Sequence, residues 1–441
     1  MNRWLILAEG ESAGRLAPID LVRPAFMLRH GAWTFADRWA ELLHPTTVLG
    51  GVRPWLASSL AEETGWTVNR LPSAKPPDDV WIIIGAVAPT VDPRWDRLEF
   101  PAEFRWSDAV TRMMRVSGSS WKAVARSVSA WLENGATGPR TFLPQIAPLA
   151  LPVCAVTAPW DLITQLGSIL SFDWVLWSNR RGATTDPIAD PDHGVFVANP
   201  SAVWRGGNVR IDPHVFIDAR HGPVWLDDGV VVESFTRIDG PAYIGKGTRL
   251  LGGKITGGCA IGPGCRIGGE WEAAIAQAFS NKAHAGFFGH GYLGEWVNLG
   301  AMTTNSDLKN TYGTVRVERG HGPEDTGQIK VGSYLADHTK TGIGTLLPTG
   351  STWGVGANIF AGGWGPKLVP SFVWGGDQYT EHRLDRMLQT ADIAISRRAE
   401  ILQGLGRPGR LTDAQRELLQ SVFERSATER RDFLTAQGSH P

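Results

Sequence analysis

The residues best suited to chemistry lie between Glu270 and Val317. This stretch holds Glu270, the histidines His284 and His290, the amides Asn298 and Asn305, and Lys309. Histidine titrates near neutrality and is the natural base for taking a proton from an attacking amine or hydroxyl. A carboxylate on one ring nitrogen fixes the tautomer and raises the basicity of the other. A lysine meets a phosphate as a point charge. Plainer roles stand beside these: a satisfied loop histidine, a solvated corner glutamate, a solvated loop lysine.

The elements around this stretch follow a six-residue period. Val224, Val230, Thr236, Ala242 and Thr248 keep it, as do Leu226, Val232, Ile238, Ile244 and Leu250. After a slip of one residue Ile255, Ile261 and Ile267 continue it, and it resumes at Val331, Ile343 and Val355. Such a period is neither helix nor hairpin. It predicts a left-handed parallel β-helix with three flat sides per coil and one inward aliphatic per side. Residues 270–317 interrupt the pattern, so they are expected to leave the coil. Flat sides pack on one another, which predicts a homotrimer with binding clefts between subunits. Cys259 and Cys265 fall on neighbouring sides as small apolar filler.

Before the β-helix the texture differs. RWLILA (3–8) reads as a buried strand followed by a Gly- and Ser-containing loop from Glu9 to Gly14. Thr34 is placed to cap a helix running to about Leu43, and 46–51 and 80–85 read as further strands. Asp161 begins another helix. The expectation is an α/β domain over 1–195 with a mostly parallel sheet and a linker at 178–194. The β-helix then covers 196–376 and a helical extension 377–441. In that extension Leu384, Leu388, Ala391 and Ile395 share a face, and Thr412 with Gln415 forms a capping box.

Composition narrows the classes. The 441 residues call for two or three domains. A formal charge of -1, from 43 basic and 44 acidic residues, gives no nucleic-acid footprint and no membrane-seeking surface. The N-terminal apolar run is too short for a signal peptide or a spanning helix. Three cysteines do not make a disulfide framework, so a cytoplasmic enzyme is expected. The 20 tryptophans point to packing and interfaces.

The run SNKAHAGFFGHGYLGEWVNLGAMTTNSDLKN resembles the acetyltransferase segment of the bifunctional GlmU family. That family acetylates glucosamine 1-phosphate and then makes UDP-N-acetylglucosamine. The run is closer to an alternative GlmU-like subfamily, which shares SNK-x-H-x-GF-x-GH-x-YLG-x-WVNLGA and a later block found here at 337–376. APIDLVRPAFMLRHG (17–31) and APWDL (158–162) resemble the same subfamily. The resemblance implies a nucleotidyltransferase-like, Rossmann-like domain before the acetyltransferase β-helix. It implies His284 as catalytic base, Glu270 as its orienting carboxylate, and Asn298, Asn305 and Lys309 toward the acceptor. Ala301, Asp337 and Val355 match positions that meet CoA through backbone. Gly10, Arg15 and Arg23 match the nucleotide-phosphate loop, with Arg23 standing in for the lysine that usually follows Pro24. The implied cosubstrates are acetyl-CoA, a sugar phosphate and a nucleotide, with Mg2+ for the nucleotidyl step.

Departures accompany the match. Leu251 stands where the family has an arginine for the sugar phosphate, Glu272 where it has a lysine, and Phe287 where it has a tyrosine. No aspartate for magnesium follows the strand in WIIIGAVAPT, and Leu166 stands where related chains have asparagine. Three further readings therefore remain beside the two-headed enzyme. One is acetyl transfer alone, on a different acceptor, with a degenerate or regulatory N-terminal domain. Another is a zinc lyase of the γ-carbonic-anhydrase type using His284, His290 and His338. The last is a non-catalytic assembly subunit.

Overall fold

The computed structural model describes residues 1–92, 94–107, 110–136, 147–181, 194–320 and 322–438. The stretch read as a linker lies mostly outside these residues. The chain divides into two compact units. One is Met1–Leu16 with Val22–Leu28 and Trp33–Ala158; the other is Ala17–Leu21 with Arg29–Ala32 and Pro159–Pro441.

The first unit is built on a six-stranded sheet. Arg3–Ala8 pairs in parallel with Thr47–Gly51 and Asp79–Ile84, and Thr67–Val68 extends the Thr47–Gly51 edge. The other edge is antiparallel: Arg112–Ser117 pairs with Asp79–Ile84, and Phe104–Ser107 with Arg112–Ser117. A parallel strand there would need a long crossover. The chain instead has the short strand Ala86–Pro89 and the one-turn helix Arg94–Arg97. Thr34 caps the helix Phe35–Leu43 in a capping box with Asp37. The helix Gly118–Glu133 lays Trp121, Val128 and Leu132 on Trp4, Ile82 and Val116.

Asp79 is only 2% exposed, between Arg3 (2.7 Å) and Arg115 (2.8 Å). Burial alone would raise its pKa. Hydrogen bonds from both guanidiniums outweigh that, and the net shift is downward. The carboxylate is therefore held ionised in the folded chain. Its stabilisation is full above the unfolded value of about 3.9 and is lost as pH falls below it. The urea midpoint is expected to drop on acidification from pH 5 to 3, with a shallower slope in Asp79→Asn. Equal slopes would remove Asp79 from the acid response.

The second unit is a parallel β-helix. One nine-stranded sheet runs from Val203–Arg205 through Cys259–Ile261 and Tyr292–Glu295 to Leu368–Val369. Leu226, Ile244, Ile261, Ala276, Leu293, Leu335, Trp353 and Val369 stack rung on rung down its inner face. All are buried core residues. Burying each of the larger ones contributes about 1.5–3 kcal/mol, and the steady supply of them produced the sequence period. Cys259 and Cys265 sit in the same core, their thiols pushed up to about 12 by burial.

The outer face of that sheet is covered by the chain itself. Trp177, from the helix Leu166–Arg181, packs on Trp204 and Trp225 with centroids 4.7 and 4.8 Å away. The backbone N–H of Arg29 donates to Gln277 Oε1 (2.7 Å) and Tyr292 Oη (3.1 Å). One corner carries Phe279, Trp296, His338 and Phe372, all at positive φ. Phe279 and Trp296 stack at 4.7 Å. The C-terminal segment covers this corner. Arg407 lies over Phe279 and forks onto Glu295, both bonds 3.0 Å, while Phe423 meets Phe372 edge-on. The helix Leu384–Ser396 buries Met387, Ala391 and Ile395, not the expected Leu384 and Leu388. Met387 packs near Gly356 of that corner.

The break in the period is shorter than the sequence suggests. Strands persist through Thr304–Asn305, which pairs with Thr345–Leu347 on the next coil. The chain leaves only after Asn305, as a loop carrying the antiparallel hairpin Arg316–Glu318 with Pro323–Asp325, and rejoins near Val331.

Candidate functional site

His284 stands on a corner widened by two residues. Arg266 and Ile267 face Asn281 and Lys282 on the next coil. Glu270, Trp271 and Glu272 then face Phe287, Phe288 and Gly289. The corner is spanned by Gly268 and Gly269 on one coil but by Ala283 to Gly286 on the next. His284 and Ala285 bulge out and are exposed. Gly269 makes the bulge possible. Its φ is +72°, and a Cβ there would lie 2.5 Å from Gly286 O and 3.0 Å from His284 O. The His284 carbonyl accepts a hydrogen bond from Lys282 Nζ at 2.6 Å. Burial lowers the Lys282 pKa to about 8.

Glu270 stands one rung below Phe287 and pairs with Lys254 Nζ at 3.1 Å. It is therefore engaged with a lysine, not with the His284 ring. The carboxylate that does hold a histidine is Asp307, 2.7 Å from His290 Nδ1. Phe287, which replaces the family tyrosine, lays its ring on Gly289: a Cβ there would be 2.2 Å from the ring and 3.0 Å from Asp307 Oδ2. Glu272, which replaces the family lysine, is met by Lys330 Nζ at 2.9 Å. Lys330 thus neutralises the Glu272 carboxylate from the far end of the hairpin loop.

The proposed acceptor residues separate. Asn298 is exposed, bridged between Asn281 and Lys340 on adjacent rungs, and accepts from Asn281 Nδ2 at 3.3 Å. Lys340 continues this outward column, its pKa lowered to about 8 by burial. Asn305 is 2% exposed and uses its amide on Gly289, accepting from the N–H and donating to the carbonyl, both at 2.8 Å. It pins the coil. Lys309 donates to the Thr314 carbonyl in its own loop.

The three expected CoA positions fall on two corners. Ala301 shares the His284 corner, since Met302 N–H donates to Ala285 O (2.9 Å) and Gly344 N–H to Ala301 O (2.8 Å). Asp337 and Val355 are buried on the aromatic corner under the C-terminal helices. There Gly356 N–H takes the Asp337 carbonyl (2.9 Å) and Phe372 N–H the Val355 carbonyl (2.8 Å). Their backbone acceptors are engaged in the coil. The residues stacked above Ala301 are Ile343, 75% exposed, and then Ala361, also exposed. The hairpin insertion hid that correspondence from the sequence.

His284, His290 and His338 do not meet. His290 is on Asp307, and His338 lies in the aromatic corner 6.4 Å from Trp296. Among the described residues no group of three His, Cys, Asp or Glu is placed to hold a metal. The three histidines of the zinc reading are thus not gathered within one chain.

In the first unit Gly10 (φ +58°) opens a short 3-10 turn after the first strand, and its N–H donates to Ala136 O at 3.1 Å. Arg15 is exposed on the loop and Arg23 is buried. The loop is held from below by a pair that the sequence reading missed. Glu9 is fully buried and takes Arg53 at Nη2 (2.8 Å), Nε (3.1 Å) and backbone N–H (2.9 Å). Arg53 also donates to the Arg23 carbonyl at 3.4 Å.

Residues 5–182 match the family described as sugar nucleotidyl transferase. Over part of its length the chain is also similar to a bifunctional GlmU protein. It is 27% identical over 195 residues to the bifunctional protein GlmU of Rippkaea orientalis (strain PCC 8801 / RF-1). That match spans 35% of this chain and 42% of the relative's length. A UDP-N-acetylglucosamine acyltransferase structure from Campylobacter jejuni is 12% identical, covering 52% of this chain and 95% of that one, with a TM-score of 0.25. No helix among the described residues is long and apolar enough to cross a membrane.

Proposed function

We propose that this chain is a two-headed sugar-nucleotide enzyme in which the β-helix transfers an acetyl group from acetyl-CoA to an amino-sugar phosphate. The observation that carries the reading is the His284 corner. An exposed imidazole stands on a widened turn, beside the exposed Asn298 one rung up and the apolar wall of Ala301, Ile343 and Ala361. In this reading His284 removes a proton from the acceptor amine as it attacks the thioester carbonyl, and the amine nitrogen forms the amide bond as CoA leaves as its thiol. Asn298 contacts the sugar, and Lys330 neutralises the Glu272 carboxylate. The exposed side bearing Lys254, Glu270 and Phe287 would pack on further copies in a homotrimer. The N-terminal domain would bind the nucleotide through the loop of Gly10, Arg15 and Arg23 and join it to the acetylated sugar phosphate. UDP-N-acetylglucosamine is the product we infer, made in the cytoplasm.

The Glu9–Arg53 pair favours a second reading. A buried carboxylate and its arginine fill the base of the phosphate loop, which suits a domain that binds a nucleotide sugar without turning it over.

A paired assay on one preparation decides. Thiol release from acetyl-CoA with glucosamine 1-phosphate is expected, together with pyrophosphate release from UTP and N-acetylglucosamine 1-phosphate that depends on Arg15 or Arg23. Thiol release without pyrophosphate selects the second reading. No acetyl-CoA turnover with any amino sugar sinks both.

A further inference from the structure

One lysine occupies a place that the two adjoining rungs give to aliphatic side chains. Lys282 is in register with Ile267 on the rung below. Leu299 follows on the rung above, since its N–H donates to Asn281 O at 2.8 Å. Both neighbours belong to the hydrophobic core, and Lys282 is itself 1% exposed. The fold needs no ammonium there. Burying one is costly unless it finds a partner. The partner is the carbonyl of His284, at 2.6 Å. That carbonyl belongs to the four-residue corner, where two residues exceed what the rung below can pair.

We propose that Lys282 is a positioning residue: its inward ammonium ties down the corner Ala283–Gly286 and so fixes where the His284 imidazole stands. The inference rests on the acyl-transfer reading for its kinetic consequence, but not for its structural one. An apolar side chain would suit the Ile267–Leu299 column at least as well, because replacing a buried charge by a hydrophobe is commonly neutral or stabilising. Lys282→Met therefore separates stability from function. Its thermal midpoint is expected to equal or exceed that of the wild type. Amide hydrogen exchange in residues 283–286 should quicken about ten-fold while the neighbouring rungs are unchanged. The kcat for acetyl-CoA turnover should fall about 100-fold with the KM for acetyl-CoA little altered, as expected for a misplaced base.

Wild-type kcat or unchanged exchange in Lys282→Met would overturn the proposal. So would a loss of activity that comes with a lower midpoint and faster exchange throughout the coil, which marks Lys282 as a stability residue. If the wild-type protein turns over no acetyl-CoA, the acyl-transfer reading fails by itself. The exchange measurement at 283–286 then decides the role of Lys282 alone.

Discussion

His284→Ala is expected to lower acetyl transfer from acetyl-CoA about 1,000-fold, the mid-range for removing a general base. The thermal midpoint should stay where it is. His284 is exposed on its bulge, and its one hydrogen bond to Lys282 comes through the backbone carbonyl, which alanine keeps. Exposed substitutions of this kind usually shift stability by about 0.5 kcal/mol or less. His290→Ala is the informative control. That histidine has a carboxylate partner, Asp307, of the kind that the resemblance gave to the base as Glu270, yet it sits at the other end of the strand Phe287–Gly289. A steady-state assay of both variants would show which ring takes the proton. A large kcat loss in His290→Ala with near-normal His284→Ala would transfer the role to the His290–Asp307 pair.

Arg53→Ala is expected to destabilise the first unit by about 3–5 kcal/mol, because it removes both guanidinium hydrogen bonds from a buried carboxylate. Glu9 is fully buried, and Arg53 gives it three hydrogen bonds, two from the guanidinium and one from the backbone. Lysine should restore little, since it lacks the planar fork. Urea unfolding followed by tryptophan fluorescence reads the change. A shift below about 1 kcal/mol would show that the pair contributes little net stability. The loop of Gly10 and Arg15 would then need another explanation for its shape.

The inner columns were legible because each coil spends aliphatic residues at fixed intervals. Leu226, Ile244 and Ile261 announce themselves by period, and the structure stacks them. Thr34 and Thr412 were legible as caps, for their side chains act within three residues of sequence. What was illegible depends on partners brought together across insertions. Ile343 stacks above Ala301 only after the hairpin has been looped out, while Asp337 and Val355, taken from the resemblance, lie on another corner. Lys330 meets the Glu272 carboxylate from across that same loop. Asp307, not Glu270, holds a histidine, since a two-residue bulge decides which side chains meet. Nothing in the local pattern marks Lys282 as pointing inward, where the register places it. Met387 replaced Leu388 on the buried face of its helix because a stripe read from the periodicity can be off by one position.

The hairpin loop closes on itself before the coil resumes. Leu308 bridges Lys330, and the N–H of Val331 returns to the carbonyl of Asp307 at 2.8 Å. The rungs on either side join as though the intervening residues were absent, with Asn298 still bridged to Lys340. Lengthening such a closed bud adds only about 0.6 kcal/mol of closure entropy per doubling. Residues can be added to it without parting the rungs, provided that Val315 and Val317 stay buried and Thr352 keeps the Glu318 carbonyl. The loop can thus change length at its own pace while the widened corner with His284 stays intact.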